Sequence, residues 1–207
     1  IAWLLNIRGN DILCCPLVLA YLIIYKDHVE LFADEEKFSD DMKREFAKNH
    51  VALRPYTEIE NAVGKLSGRK KMLIDPERLS YALYKLIPDE TEMIEKENPE
   101  IIMKSVKNDI ETEHIRRAHL KDAAAHTKFI YWLKENIGKT EITERSASAR
   151  LEEFRKEQDG YLGPSFEPIS AYYEHGAIVH YSASKESDAR LEKGHFLLTD
   201  TGGHYKD

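Results

Sequence analysis

The sequence predicts a mixed α/β (α+β) fold in two parts, and three observations carry that expectation. From residue 1 to about 97, short apolar runs alternate with amphipathic stretches, the pattern of a mixed sheet covered by helices. After Pro99 a long helical periodicity takes over, opened by a capping-box signature at Asn108 and Glu111. In the last third, two short apolar runs each end in a side chain able to do chemistry: 177–179 delivers His180, and 196–198 delivers Asp200.

The elements follow in order. Residues 1–7 read as a buried strand, and 12–25 as a buried strand region. The latter run has 14 residues and contains Pro16, whereas a bilayer span needs about 20, so no membrane helix is expected. Segments 17–25 and 29–33 flank Lys26-Asp27-His28 and predict a hairpin. Phe38, Met42 and Phe46 stand at helical spacing within 35–49, opposite a charged face. A strand is expected over 51–55, a helix over 58–66 closed by Ser67-Gly68, and a strand over 71–74. Asp75-Pro76 then opens a helix in cap-then-proline order. The polar stretch 95–98 before Pro99 marks a boundary, giving domains 1–97 and 98–207.

Beyond the boundary come a short helix and then a long one from Asn108 to about Asn136, stopped by Gly138 and roughly 40 Å in length. Ile115, Ala118, Ala125, Phe129 and Leu133 give it one apolar face. Asp122 falls on that face and reads as a salt-bridge partner of Arg116 or Lys121, or as a cap, in preference to a functional buried acid. Thr143-Glu144 leads into a second helix, 147–158, with Leu151 and Phe154 inward. Runs as short as 177–179 and 196–198, bounded by Gly176, Gly194 and Gly202-Gly203, suit buried strands.

Composition narrows the function classes. The 207 residues carry a net charge of −7, with 42% hydrophobic and 32% charged residues, as in ordinary globular domains. An acidic balance without a basic stripe argues against nucleic acid. The two cysteines, Cys14 and Cys15, are adjacent. Vicinal cysteines rarely bridge, so a reduced setting is expected, and no second Cys/His pair stands at zinc spacing.

The chemistry sits in the last third. A carboxylate ending a buried strand is costly unless paired or metal-bound, which makes Asp200 the residue to explain. His180 reads either as a satisfied core histidine or as a donor or proton shuttle. His195 and His204 read as surface or strand-edge residues, since His195 and Asp200 would point to opposite faces of a strand. Gly202-Gly203 is no phosphate loop, because no Gly-x-x-x-x-Gly-Lys follows. Arg8 is expected to pair with Asp11 and hold a loop.

Asp200-Thr-Gly-Gly-His-Tyr-Lys-Asp207, with Gly202 and Tyr205 behind the first Asp, resembles a motif of the pita-bread metallopeptidases: aminopeptidase P, prolidase, methionine aminopeptidase and creatinase. Gly176-Ala-Ile-Val-His180-Tyr and Ser165-Phe-Glu-Pro-Ile169 are similar to the strands that precede that motif in the family. The opening Trp3-Leu-Leu-Asn-Ile-Arg8-Gly-Asn-Asp11 resembles the middle, non-catalytic domain of the three-domain, cytosolic-type Xaa-Pro aminopeptidases, so the likeness covers essentially the whole chain. It implies an N-terminally truncated creatinase N-terminal-like domain over 1–97 and the first half of a pita-bread catalytic domain over 98–207.

By this resemblance Asp200 is the first ligand of a two-metal site, Asp207 is not a ligand, and the remaining ligands lie further on. The implied metal is Mn²⁺, with Zn²⁺ or Co²⁺ as alternatives. His180 would line the pocket and hydrogen-bond the peptide near the scissile bond, without binding metal. His175 stands where relatives carry Asn, at a turn expected to need positive φ. The implied function is release of the N-terminal residue from peptides with proline second, the 207 residues alone being inactive. Xaa-Pro dipeptidase, or a non-catalytic peptide- or protein-binding module, are the alternatives. The implied partners are proline-containing peptides and a second copy in a homodimer, and the implied setting is the cytoplasm.

Overall fold

The computed structural model describes residues 1–66 and 71–206. The helix stop expected at Ser67-Gly68, and Asp207, lie outside the described residues. The chain divides into two compact units, one holding Ile1–Ile12 and Pro16–Val106, the other Leu13–Cys15 and the chain from Lys107 on.

In the first unit, β1 (Tyr21–Ile24) and β2 (Val29–Ala33) form the expected antiparallel hairpin, closed by Tyr25 N–H donating to the His28 carbonyl at 2.9 Å. β2 then pairs in parallel with β3 (Val51–Pro55), so β2 is central in a mixed three-stranded sheet. A central strand is covered on both faces, and Leu31, Phe32 and Ala33 are all buried. Alternation divides them between two cores. Phe32 packs with Ile59, Val63, Ile74 and Leu83, whereas Leu31 and Ala33 pack with Phe38, Phe46 and Val51.

The crossover from β2 to β3 is α2 (Asp40–Lys48), capped by Ser39 Oγ accepting from Met42 N. α3 (Ile59–Gly64) turns Ile59 and Val63, four residues apart, into the Phe32 core. β4 (Lys71–Ile74) pairs in parallel with β5 (Glu92–Glu95).

Four expectations for this unit are corrected. Residues 1–7 form no strand: α1 (Ala2–Leu5) occupies them, closed by Asn6 in the left-handed region at φ 49°, a conformation Asn tolerates. Of the run 12–25 only Tyr21–Ile24 is strand, because Pro16 withholds a donor and Cys14 is left-handed at φ 56°. Asp75 does not cap a helix. Its carboxylate accepts from Glu77 N and Asn98 N, each at 3.1 Å, and the next helix, α4 (Tyr81–Tyr84), starts from Ser80. Asp11 pairs not with Arg8 but with Lys37 Nζ at 2.7 Å, while also accepting from Leu19 N.

The units divide after Val106, later than the boundary read at 97/98. Lys96 N donates to Ile74 O and Asn98 N to Asp75, which ties this polar stretch to β4 and brings α5 (Pro99–Ser105) with it.

The second unit begins with α6 (Asp109–Asn136), whose capping box is complete: Glu111 N donates to Asn108 Oδ1, and Asn108 N to Glu111 Oε2, both at 2.9 Å. Gly138, at φ 77°, follows the helix end. α7 (Glu144–Lys156) starts from Thr143 with a second capping box closed by Ser146. Ala125 and Phe129 of α6 meet Ala147, Leu151 and Phe154 of α7 in one core with Ile142 and Leu191. The N-terminal half of the apolar face read on α6 is not buried, Ile115 being 43% exposed. Two antiparallel pairs complete the unit, β6 (Tyr161–Pro164) with β9 (Gly203–Tyr205) and β7 (Ile169–Tyr172) with β8 (Leu197–Asp200).

Candidate active site

Asp200 closes β8 opposite Ile169 of β7. Tyr172 and Leu197, a cross-strand pair, pack onto the core of α6 and α7. Alternation therefore turns Leu198 and Asp200 to the other face, away from the helices. Leu198 is 45% exposed and Asp200 is exposed as well. The expectation of a buried strand is thus corrected: β8 is the open edge of a two-stranded ribbon, and burial does not force a partner on Asp200.

His180 follows a different route from the one expected. No strand forms over 177–179. After Tyr172 the chain makes a 3₁₀ helix (Tyr173–Ala177), then a turn in which Val179 is 82% exposed. Tyr173 N donates to Phe196 O at 3.0 Å, and a side chain at Gly176 would meet Leu198 at 3.9 Å, so this arm lies along β8. The left-handed residues are Tyr173 (φ 49°) and His180 (φ 56°), not His175. His180 is solvent-exposed.

The arm is tied down by Glu144, the first residue of α7, whose side chain is 0% exposed. Its carboxylate accepts from Tyr172 N at 2.6 Å, His175 Nδ1 and the Tyr181 hydroxyl at 2.8 Å, and Ala189 N at 3.1 Å. Burial pushes its pKa up, but the Tyr172 and Ala189 amides, with His175 and Tyr181, outweigh burial and leave it below the ordinary carboxylate value. From sequence, Thr143-Glu144 does no more than lead into a helix. An acid in a first helical turn is ordinary dipole chemistry, and nothing local signals that this one is buried.

A second network holds the chain just past Asp200. Asp122 of α6 meets Arg155 of α7 at 2.8 and 3.2 Å, and Arg155 also donates to Thr201 Oγ1 at 2.9 Å. The Tyr205 hydroxyl donates to Asp122 at 3.0 Å. The partner read for Asp122, Arg116 or Lys121, is corrected to Arg155. A signal was available, since Arg155 stands four residues after Leu151 on the apolar stripe of α7, facing the one acid on the stripe of α6. Burial and the Asp122 carboxylate raise the pKa of Tyr205, and burial and Glu152 that of Tyr161.

Thr201 leads directly into Gly202, where space is tight. A Cβ there would collide with Ser165 Oγ and press on Phe166 at 3.3 Å, while Ser165 N donates to the Gly202 carbonyl at 3.0 Å. Gly202→Ala is expected to cost about 1–3 kcal/mol through overpacking. Ser165→Ala in the same chain should return more than half of that loss in a double-mutant cycle of urea unfolding. Additive losses would show that Ser165 is not the obstacle.

A cleft of about 510 Å³ lies on the helix side of β7, lined by Ser148, Glu152 and Arg155 of α7 with Ser170 and Thr201; neither His180 nor Asp200 lines it. Among the described residues, no three His, Cys, Asp or Glu side chains gather to hold a metal. Asp200 is a solvent-facing carboxylate at a strand end, and the described residues do not complete a metal site around it. His195 packs on Tyr173 with ring centroids 4.2 Å apart, and His204 of β9 meets the Cys14 carbonyl at 3.1 Å.

Residues 1–111, more than half of the chain, match the family model of the creatinase/prolidase N-terminal domain. The chain belongs to the creatinase/prolidase family. Its remaining part, residues 113–207, matches metallopeptidase family M24. Among its relatives, Xaa-Pro aminopeptidase 1 of Dictyostelium discoideum is 36% identical over all of this chain and 33% of its own length. Xaa-Pro aminopeptidase 2 of Sus scrofa is 34% identical over all of this chain and 32% of its own. The X-prolyl aminopeptidase of Caenorhabditis elegans, described as a cytosolic enzyme with a di-nuclear active site, superimposes with a TM-score of 0.90 over 99% of this chain and 34% of that one, at 30% identity. The Xaa-Pro dipeptidase of Bacillus anthracis, at 19% identity and a TM-score of 0.72, shares the fold. The chain thus spans about a third of the length of these aminopeptidases. The mixed α/β architecture expected from the sequence is the one this family has. Among the described residues, no helix is long and apolar enough to cross a membrane.

Proposed function

We propose that these residues are part of a divalent-metal-dependent Xaa-Pro aminopeptidase, an enzyme that removes the N-terminal residue from peptides with proline second. The observation that carries this reading is the agreement with the C. elegans X-prolyl aminopeptidase over 99% of the chain, at 30% identity and a TM-score of 0.90. The dipeptidase resemblance, at 19% identity, supports the fold and no particular substrate.

In this reading Asp200 supplies one carboxylate ligand, and the others come from outside the 207 residues. Carboxylate-rich sites suit hard or borderline ions, which favours Mn²⁺ over Zn²⁺ or Co²⁺. When bound, such ions supply a hydroxide nucleophile near neutral pH and stabilise the oxyanion. His180, on the arm beside β8, hydrogen-bonds the peptide near the bond to be cut and orients it. The 207 residues alone are inactive in this reading, and the enzyme works in the cytoplasm.

The test is hydrolysis of an Xaa-Pro-Pro peptide by the full-length protein, with and without Mn²⁺, beside Asp200→Ala. Metal-dependent release of the first residue, reduced at least about a hundredfold by the substitution, is expected for loss of a metal ligand. A folded protein that releases nothing with any divalent ion would point instead to a peptide-binding module.

A further inference from the structure

The His180 arm is held at both of its ends, and in its middle, by one buried side chain. Tyr172 is the last residue before the arm, and its N–H donates to Glu144 at 2.6 Å. Tyr181 is the first residue after His180, and its hydroxyl donates to the other Glu144 oxygen at 2.8 Å. Between them His175 Nδ1 meets the same carboxylate at 2.8 Å, and its ring stacks on Tyr181 with centroids 4.5 Å apart. At the far end the buried Tyr181 also brings its hydroxyl to 3.1 and 3.2 Å from the Ser187 carbonyl and Oγ. Ile178 and Val179 are 55% and 82% exposed and bury too little surface to hold it.

The backbone makes such an anchor necessary. Tyr173 and His180, at opposite ends of the arm, both sit at positive φ, 49° and 56°. Non-glycine residues hold this conformation only where their surroundings over-determine it. The anchor itself is rigid. Thr143 caps α7, Glu144 N donates to the Ala189 carbonyl at 3.1 Å, and Ala147 one turn on is fully buried.

We propose that Glu144 is the positioning residue of the His180 arm: its four-donor carboxylate at the start of α7 sets where the His180 imidazole stands. The inference rests on the reading of His180 as a pocket residue, but its physical core, the anchoring of the arm, is measured separately. Glu144→Gln keeps the size of the side chain and turns one acceptor into a donor facing other donors. Tyr181→Phe removes a single hydroxyl at the His180 end and stands in if the glutamine variant does not form, with Ser187→Ala beside it as the control for the hydroxyl's second contact.

Amide hydrogen exchange on the full-length protein reads the anchor directly. In both variants the amides of 172–181 should exchange at least about tenfold faster, the factor expected for one lost hydrogen bond to a charged group. Exchange in α6 should stay unchanged. With an Xaa-Pro-Pro peptide, kcat should fall about tenfold or more, with KM nearly unchanged, because a misplaced group costs turnover before it costs binding. Unchanged exchange in the arm of Tyr181→Phe would overturn the anchor, and full kcat from a loosened arm would overturn its role in positioning. A loosened arm in a protein whose unsubstituted form hydrolyses no Xaa-Pro bond would leave the anchor standing and remove the peptidase reading.

Discussion

Asp122→Ala is expected to destabilise the protein by roughly 3–5 kcal/mol, the cost of stranding a buried charge. The Arg155 side chain is 3% exposed, and Asp122 is its only anionic partner among the described residues. The neutral Thr201 hydroxyl at 2.9 Å cannot replace it. Replacing both ends of the pair with apolar residues, Asp122→Leu with Arg155→Met, should recover most of the loss, because hydrophobic packing substitutes well for a buried ion pair. The pair should also show itself through pH. Burial pushes the Asp122 pKa up, but the hydrogen bonds and charge of Arg155 and the Tyr205 hydroxyl bring it below the ordinary carboxylate value. A folded-state pKa below the unfolded one gives stability that is present above the unfolded value of about 4 and lost as pH falls through the folded one. Urea midpoints between pH 7 and pH 2 should therefore fall at the acid end, and Asp122→Asn should flatten that fall. A loss from Asp122→Ala below about 1 kcal/mol would mean that solvent reaches Arg155 after all.

What the sequence disclosed follows from how local each signal is. The hairpin at Lys26-Asp27-His28, β3 and β4 at their expected bounds, and α6 with its capping box all came from contiguous patterns. Such signals hold because the residues that decide them are near neighbours. Residues 1–7 and 177–179 failed for a shared reason. Each is apolar enough for a strand, but no neighbouring strand pairs with it, and a left-handed Asn6 or His180 turns the chain instead. Asp75 accepts from Glu77 N with one oxygen, but the turn it starts does not continue into a helix, and its other oxygen is taken by Asn98, 23 positions away.

The site divides the same way. Asp200 and His180 are singled out by the motifs that carry the family resemblance, and their role in the site is the proposal made above. Their surroundings were not legible, since exposure on β8 depends on which face α7 covers. Glu144 collects donors from positions 172, 175, 181 and 189, a pattern that only the folded chain brings together. Asp122 and Arg155 stood between these cases: each was a visible charge on an apolar stripe, and only the pairing of the stripes was missing.

Phe129→Ala is expected to cost about 3–5 kcal/mol, the range for truncating a core aromatic. The ring is 3% exposed, where α6 crosses α7, among Leu151, Phe154, Ile142 and Leu191. The size of the loss depends on how far the site can collapse into the space left behind. Two of the closest neighbours, Ala125 and Ala147, are 0% exposed and have no side chain long enough to fill it. The helix backbones approach closely there because those residues are small, so closing the gap would require moving a helix. Tyr131, two residues on, is 69% exposed, and Tyr131→Ala should stay within about 0.5 kcal/mol of the parent. Urea unfolding of the two variants, with unchanged m-values, makes the comparison within one helix. Equal losses would mean that α6 is not held on α7 through this ring. A large loss from Phe129 alone would show that this ring holds α6 on α7, the helix that Glu144 opens.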